Sequence, residues 1–428
     1  MRRCIAILIL LALLAGPAPA LHEDEAALFL PSDLGLDAPV SLIHTEDLSL
    51  DGESILVYER RTDTMVYAKN PDVRRYPASL TKLMTCLLAL RYTEPWETVT
   101  VTESALATMD PSGSFADLRP GEEYTMEQLL YCLMVQSAND AALVIAEYVG
   151  GSQAGFVDLM NETARDLGCT GTHFVNPHGM HDEDHYSTAR DLAKIAQADL
   201  EYDLFRTLYS TPSYVLPATE DREERTLQST NYLISTAING DYYDSRVIGG
   251  KTGFTTPAGR CVVCTAIDRD YAYLAVVLGA GAYDEAGKQI YGSFSTASAI
   301  FDACLWAFET QVCLEEGTEV TAAVKNGAAD ACLIAPDAVS ALLPVDWDPA
   351  LLFVTPYSDP PLEAPLEADT EAGELLVYYD GVLVGRTPLW TLEAVEYLPP
   401  MPEAKRSRPA GRFSEPLGNP GGRLPFRL

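Results

Sequence analysis

The chain has 428 residues and a formal net charge of −33 at pH 7, with 62 Asp and Glu residues against 29 Lys and Arg. A charge of this sign and size argues against nucleic acid as a partner, because the phosphate backbone would be repelled. The length leaves room for two or three domains, and an apolar content of 47% is enough for at least one large core. We interpret the acidic residues as a solvated surface.

Residues 1–20 have the pattern of a secretory signal peptide. Arg2 and Arg3 precede an apolar run over 4–14, and Ala18-Pro19-Ala20 fits a cleavage site made of small residues. The apolar run is too short to cross a bilayer, which takes about 20 residues. The sequence therefore predicts an exported protein that works outside the cytoplasm, in the cell wall, secreted, or peripheral to the membrane.

Residues 21–49 are predicted to be an irregular, acidic lead-in, and the domain that follows begins and ends with strands. Its strand patterns lie at 54–58, 64–68, 214–216, 246–248, 259–267 and 271–278. Its helical patterns begin near Ser79 and continue at 126–135, 140–148, 152–167, 187–200 and 284–308. Because helices fill the middle of the segment, we predict an α+β domain over residues 50–310, with an antiparallel sheet and a helical cluster on one side.

The composition changes after this domain. Residues 311–397 contain short β-like runs and many acidic residues, and Asp380-Gly381 is typical of a hairpin turn, so we predict a small all-β domain. Residues 398–428 are rich in Pro, Gly and Arg without apolar periodicity and are predicted to be a disordered basic tail. Such a tail suggests weak association with an anionic wall polymer or lipid surface.

Ser79 and Lys82 form an S-x-x-K pair at the start of a predicted helix. Residues three apart project from the same helix face, so the two side chains should lie side by side. The helix N-terminus favours a developing alkoxide, and a lysine of lowered pKa can accept the serine proton. The pair alone is common by chance, so its meaning depends on the rest of the chain.

Two further motifs supply groups that can relay a proton and bind a substrate. Ser137 and Asn139 form an S-x-N in a turn between helices, where a serine can relay a proton and a carboxamide can hold a substrate backbone. Lys251-Thr252-Gly253 lies beside a predicted strand pair, where Lys251 and Thr252 can bind a carboxylate and the glycine lets a peptide lie alongside the strand. Neighbouring backbone N–H groups can form an oxyanion hole. This ordered set is typical of penicillin-binding proteins and class A β-lactamases.

The chain resembles the low-molecular-mass penicillin-binding proteins, which are D-alanyl-D-alanine carboxypeptidases of serine peptidase family S11. The resemblance covers about residues 48–397. It departs from the family at Ala138, where glycine is usual, and at Phe254, where histidine or tyrosine is found. It rests on the motifs at 76–82, 137–142, 176–181 with 185–189, and 251–255. It implies a β-lactamase/transpeptidase-like catalytic domain.

The resemblance also implies a reaction without cofactor or metal. Ser79 attacks the penultimate D-alanine carbonyl of a peptidoglycan stem peptide, and Lys82 accepts the proton of the Ser79 hydroxyl. Ser137, with Lys251, then protonates the leaving D-alanine. The other implied contacts to the substrate come from Asn139, Thr252, Gly253 and the N–H groups of Ser79 and Phe254. β-Lactam antibiotics mimic the D-Ala-D-Ala terminus and are expected to acylate Ser79. Because like charges repel, Lys251 is expected to help keep Lys82 neutral.

Three other functions are compatible with parts of the sequence. A D,D-endopeptidase acting on peptidoglycan cross-links uses the same motifs and remains open. A β-lactamase should add a glutamate in an E-x-x-L-N context, and none occurs between Asn139 and Lys251. A catalytically silent wall-binding protein would use the acidic β domain as its working part, but every polar group that the chemistry needs is present.

The histidines His178, His181 and His185, with Asp182 and Asp184, have the residue types of a zinc site. The segment is predicted to be a loop, so no helical register would bring the imidazoles together. The resemblance assigns it to a structural loop near the active site, and we predict no metal.

Eight cysteines remain after the signal peptide, and the sequence leaves open whether they are free or paired. Cys86 and Cys132 fall in apolar helical patterns and are interpreted as core thiols. Cys261 and Cys264 form a C-x-x-C on a predicted strand, where residues three apart face opposite sides. Neither a redox pair nor a zinc ligand pair is therefore expected there.

Overall fold

The computed structural model describes residues 50–218, 222–269 and 271–399. The predictions for residues 1–20, for 21–49 and for the tail from residue 400 onward lie outside these ranges. Within them, no helix combines the length and the apolar character needed to cross a membrane.

The first structural unit contains a large antiparallel sheet and several helices. Its strands are β1 (Ser54–Glu59), β2 (Thr64–Lys69), β3 (Thr98–Thr100), β4 (Glu123–Thr125), β5 (Ser213–Leu216), β6 (Arg225–Gln228), β7 (Val247–Thr255), β8 (Gly259–Asp268) and β9 (Tyr271–Ala280). Its helices are α1 (Lys82–Tyr92), α2 (Glu103–Leu106), α3 (Met126–Met134), α4 (Asn139–Gly150), α5 (Gln153–Asp166), α6 (Ala189–Asp199), α7 (Asp203–Ser210), α8 (Thr236–Asn239) and α9 (Gly292–Ala307).

The main sheet has the order β2-β1-β9-β8-β7 and is buried on both faces. Helix α6 packs on one face and α9 on the other. Leu56 and its partner Val276 join the helical core, whereas Ile55 and its partner Val277 join the core beneath α9. This double burial explains why β1 is apolar throughout. β7 forms one edge of the sheet.

Helix α1 lies at the centre of the helical layer. Residues 82–89 are all buried, so the first two turns of the helix are covered on every side. It packs against α3, α4 and α6 and is preceded by a 3₁₀ turn, Ala78–Thr81. The layer therefore holds the start of α1 rigidly between the sheet and the start of α4.

The second unit is all-β. Its strands are β10 (Phe308–Leu314), β11 (Thr318–Ala322), β12 (Ala331–Ala335), β13 (Val339–Pro344), β14 (Leu352–Tyr357), β15 (Glu371–Tyr379) and β16 (Val382–Thr391). They form a two-stranded sheet, β10-β13, and a five-stranded sheet, β11-β12-β16-β15-β14. Asp380 and Gly381, both with positive φ, join β15 to β16 as predicted. The predicted fold class, α+β followed by a small β domain, is confirmed.

Several local predictions were wrong. Ser79 lies in the 3₁₀ turn and not in the first α-helical turn, since α1 begins at Lys82. The last helix begins at Gly292 and not at residue 284, because Tyr283 and Gln289 pair across a turn. β7 extends well beyond the predicted 246–248, so that Lys251-Thr252-Gly253 lies inside a strand that pairs with β8.

Candidate active site

The 3₁₀ turn presents Ser79 between α1 and the edge strand β7. Ala78, the residue before it, has a φ of 48°, which is unusual for a residue with a side chain. The Ala78 carbonyl accepts a hydrogen bond from Thr81 Oγ1 at 2.8 Å. A Cβ on Gly253 would lie 2.9 Å from the Pro77 oxygen and 3.1 Å from the Ser79 nitrogen, so glycine lets β7 approach the turn closely.

Lys82 is fully buried beside Ser79. Its Nζ lies 3.1 Å from Ser79 Oγ, 2.7 Å from Asn139 Oδ1 and 2.7 Å from the His178 carbonyl oxygen. Burial lowers the pKa of Lys82 well below its ordinary value, and the charge of Lys251 lowers it further, while Asp140 acts in the opposite direction. Burial is thus the larger cause, and Lys251, the cause inferred from the sequence, is the smaller.

Ser137 comes from the turn before α4 and Asn139 is the first residue of that helix; both are buried. Ser137 has a φ of 61°, and its Oγ accepts a hydrogen bond from Lys251 Nζ at 2.8 Å. Lys251 is also buried, which lowers its pKa to about 7. The structure therefore pairs each lysine of the sequence motifs with a serine: Lys82 contacts Ser79, and Lys251 contacts Ser137.

The predicted residues surround an open pocket of about 680 Å³. Ser79, Ser137, Asn139, Thr252, Gly253 and Phe254 line it, with Lys82 and Lys251 buried behind them. Thr252 Oγ1 lies 2.6 Å from Thr230 Oγ1. Further lining residues were not among the predicted site residues; they include Ser112, Gly113, Ser114, Gly179, Thr230, Tyr232, Arg260 and Tyr291.

Arg260 is the residue of this group that a sequence signal could have revealed, since it is a basic residue at the start of the strand paired with Lys251-Thr252-Gly253. Its guanidinium lies 4.4 Å from the ring centre of Phe254 and 4.2 Å from that of Tyr291. Its Nε is buried and has no hydrogen-bond partner among the described residues. The stacked guanidinium offers the pocket a cation suited to a carboxylate.

The loop that contains His178 and His185 contacts Lys82 and Thr81 at the start of α1. The ring of His178 accepts a hydrogen bond at Nδ1 from the Met180 N–H. His185 accepts one at Nδ1 from the Val175 N–H, so its Nε2 carries the proton and donates to Thr81 Oγ1 at 2.7 Å. Burial lowers the pKa of His178 to about 3 and that of His185 to about 4, so both are neutral near pH 7. These imidazoles are engaged by protein groups, as in a structural loop.

Comparison with known proteins follows the same division of the chain. A family model described as D-alanyl-D-alanine carboxypeptidase matches residues 42–282, and a model described as penicillin-binding protein 5, C-terminal domain, matches residues 308–397. D-alanyl-D-alanine carboxypeptidase DacF of Bacillus subtilis is 30% identical over 352 residues, which are 81% of this chain and 86% of that protein.

Two other similar proteins bear on the activity and the fold. A D-alanyl-D-alanine endopeptidase of Pseudomonas aeruginosa is 32% identical over 231 residues, which are 54% of this chain and 72% of that protein. The crystal structure of penicillin-binding protein 5 from Haemophilus influenzae matches with a TM-score of 0.64 and 26% identity, covering 82% of this chain and all of that one. The resemblance inferred from the motifs is confirmed, and the chain belongs to the D-alanyl-D-alanine carboxypeptidase family, serine peptidase family S11.

Proposed function

We propose that Ser79, Lys82 and Ser137 carry out the D-Ala-D-Ala carboxypeptidase reaction of this family. The protein is a serine peptidase that removes the terminal D-alanine from peptidoglycan stem pentapeptides, through an acyl-enzyme, and that is also acylated by penicillin. In the cell this reaction serves cell wall maturation. Ser79 is the nucleophile, Lys82 its base, and Ser137 the group that returns a proton to the leaving D-alanine.

One observation carries this assignment, namely the set of contacts around Lys82 Nζ. A neutral amine has two N–H donors and one lone pair. Asn139 Oδ1 and the His178 carbonyl oxygen can only accept, so each of them takes one hydrogen of the amine. The lone pair is then left for the third neighbour, Ser79 Oγ, at 3.1 Å. The lowered pKa of Lys82 supports this protonation state.

The remaining groups serve the substrate and the leaving group. Lys251 donates to Ser137 Oγ and can resupply the proton that Ser137 gives to D-alanine. Asn139 orients the substrate peptide, which lies along the edge strand β7 beside Thr252 and Gly253. The N–H groups of Ser79 and Phe254 bind the oxyanion. Phe254 contributes only its backbone to this role, which agrees with its exposed ring.

Carboxypeptidase action is favoured over endopeptidase action by two observations. The DacF relative covers both units of this chain, whereas the endopeptidase relative covers about half of it. The guanidinium of Arg260, a residue that lines the pocket, supports a substrate that ends in a free carboxylate.

The location and surface contacts of the protein are also proposals. The substrate lies outside the cytoplasmic membrane, so we infer that residues 1–20 direct export and are removed. The basic residues of the tail, such as Arg406, Arg408 and Arg412, are proposed to give weak association with an anionic surface. Comparing the cell fractions that hold the full chain and a chain ending at residue 399 tests this second proposal.

The activity is tested by incubating the protein with a stem pentapeptide and measuring released D-alanine. The wild type and Ser295→Ala, a change at an exposed serine on α9, should release it, and Ser79→Ala should not. Labelled penicillin should mark the first two proteins and leave Ser79→Ala unmarked. Labelling of Ser79→Ala would place the nucleophile elsewhere, and cleavage of cross-linked peptides without release from pentapeptide would make the protein an endopeptidase.

A further inference from the structure

Asp140 is a buried carboxylate next to the site, with no role in the chemistry proposed above. It follows Asn139 in the first turn of α4 and is 1% exposed. Its Oδ1 accepts a hydrogen bond from the Ala116 N–H at 3.0 Å, and its Oδ2 accepts one from the Leu118 N–H at 2.9 Å. The Ala141 N–H also donates to Oδ1, at 2.9 Å. Burial raises the pKa of the Asp140 carboxyl, and these three backbone donors and the positive end of the helix act against that rise by stabilising the charged form.

Ala116 and Leu118 belong to the segment 112–118, which we call the wall segment because Ser112, Gly113 and Ser114 form one side of the pocket. The wall segment has further ties to the turn that carries Ser137. The Ser114 carbonyl accepts the Asn139 N–H at 2.7 Å, and Ser114 Oγ donates to the Gln136 carbonyl at 2.7 Å. Residues 136–139 thus hold the wall segment and also include Ser137 and Asn139, which line the pocket.

We infer that Asp140 is a positioning residue, which fixes the wall segment to the start of α4 and so keeps Asn139 in place against Lys82. The inference rests on the proposed function, because it assigns Asp140 to the support of the Lys82–Ser79 pair. A carboxamide in place of the carboxylate leaves one acceptor oxygen for the Ala116 and Leu118 N–H groups, and Asn139, hydrogen-bonded to Ser114, is then free to shift with the wall segment.

Asp140 also acts on Lys82 through its charge. Its carboxylate favours the protonated form of Lys82, while burial and the Lys251 cation favour the neutral amine. His178 and His185 also face Lys82, but both are neutral near pH 7. On the other side, Asp140 faces the thiol of Cys132, whose pKa is raised by burial, so that it stays uncharged. Removing the charge of Asp140 should therefore lower the pKa of Lys82 further.

The test is the pH dependence of kcat/KM for D-alanine release in Asp140→Asn, with Asp203→Asn as the matched control. Asp203 also lies in the first turn of a helix, α7, but is exposed. Asp140→Asn is expected to lower kcat/KM by about 100-fold, since a shift of 1 Å at a supporting group can cost that much. The acid limb of its pH profile, where kcat/KM falls as Lys82 becomes protonated, should move to lower pH. Hydrogen exchange over residues 112–118 should become faster, and Asp203→Asn should match the wild type in all three measurements.

A second variant separates positioning from charge and from folding. Ser114→Ala removes one tie of the wall segment without a change of charge at an exposed residue, so it should lower kcat/KM and speed exchange while leaving the acid limb in place. Wild-type kinetics in Asp140→Asn, or in Ser114→Ala if Asp140→Asn does not fold, would overturn the inference. A wild type that releases no D-alanine would instead contradict the proposed function, and the Asp140 variants would then be compared by their rates of acylation by penicillin.

Discussion

Gly179 offers a sharp test of how the Ser79 turn is held. Its φ is 85°, and a Cβ at this position would lie 1.9 Å from the Ala78 carbonyl oxygen. Contacts of a Cβ below 3.0 Å are essentially not found in proteins, so Gly179→Ala must displace one partner by at least 1.1 Å, the difference between the two distances. The Ala78 carbonyl is the partner next to the nucleophile.

This displacement reaches the reaction through a single peptide plane. The Ala78 C=O and the Ser79 N–H belong to the same planar unit, so moving the oxygen also turns the N–H that is proposed to bind the oxyanion. Loss of one oxyanion donor typically lowers the rate by about 100- to 1,000-fold. We therefore expect the rate of acylation by a fluorescent penicillin to fall by about 100-fold in Gly179→Ala.

Gly121→Ala is the matched control for this experiment. Gly121 has a φ of 91°, close to that of Gly179, but a Cβ there would have no atom within 4 Å. Both variants should lose about 1 kcal/mol of stability from the left-handed backbone, whereas only Gly179→Ala should lose acylation rate. Normal acylation of Gly179→Ala, or an equal loss in Gly121→Ala, would refute the reasoning.

Two further predictions concern buried ionisable groups. Lys251→Met removes a cation that lowers the pKa of Lys82, so the pKa of Lys82 should rise. The acid limb of the acylation rate should then move to higher pH. An unchanged acid limb would contradict the effect of Lys251 on Lys82. Asp199 is fully buried, neither carboxyl oxygen has a hydrogen-bond partner among the described residues, and burial raises its pKa. Ionisation of Asp199 in the unfolded chain above about pH 3.9 then favours unfolding. Asp199→Leu should therefore raise the free energy of unfolding at pH 7 by about 1–3 kcal/mol, with a smaller gain near pH 4; an equal gain at both pH values in urea unfolding would rule out the ionic cause.

The sequence predicted the fold class because the decisive patterns were local. Apolar periodicity marked the helices that surround α1, and Asp380-Gly381 marked a hairpin. The sequence did not predict helices α2, α7 and α8 or strands β3, β4, β6, β10, β12 and β13. These elements are short, and a run such as Ala331–Ala335 contains too few residues for its period to separate strand from helix.

The motifs predicted which side chains meet in the pocket, but not how the backbone presents them. The left-handed conformation of Ala78 depends on Gly179 and on the chain of hydrogen bonds from His185 through Thr81, which are about 100 residues apart in the sequence. The burial of Lys82 depends on the first two turns of α1 being covered on every side. Asp140 was missed as a contributor because it acts through contacts with residues 116 and 118 that only the folded chain brings together.

Eight cysteines lie among the described residues, and no disulfide joins them there. Six of them are fully or almost fully buried, and for Cys86, Cys132, Cys261, Cys264 and Cys304 burial raises the pKa of the thiol. Oxidants react with exposed thiolates, so these sulfurs are protected by the fold itself. Cys313 and Cys332, the two partly exposed thiols, are natural positions for a chemical probe on the β domain.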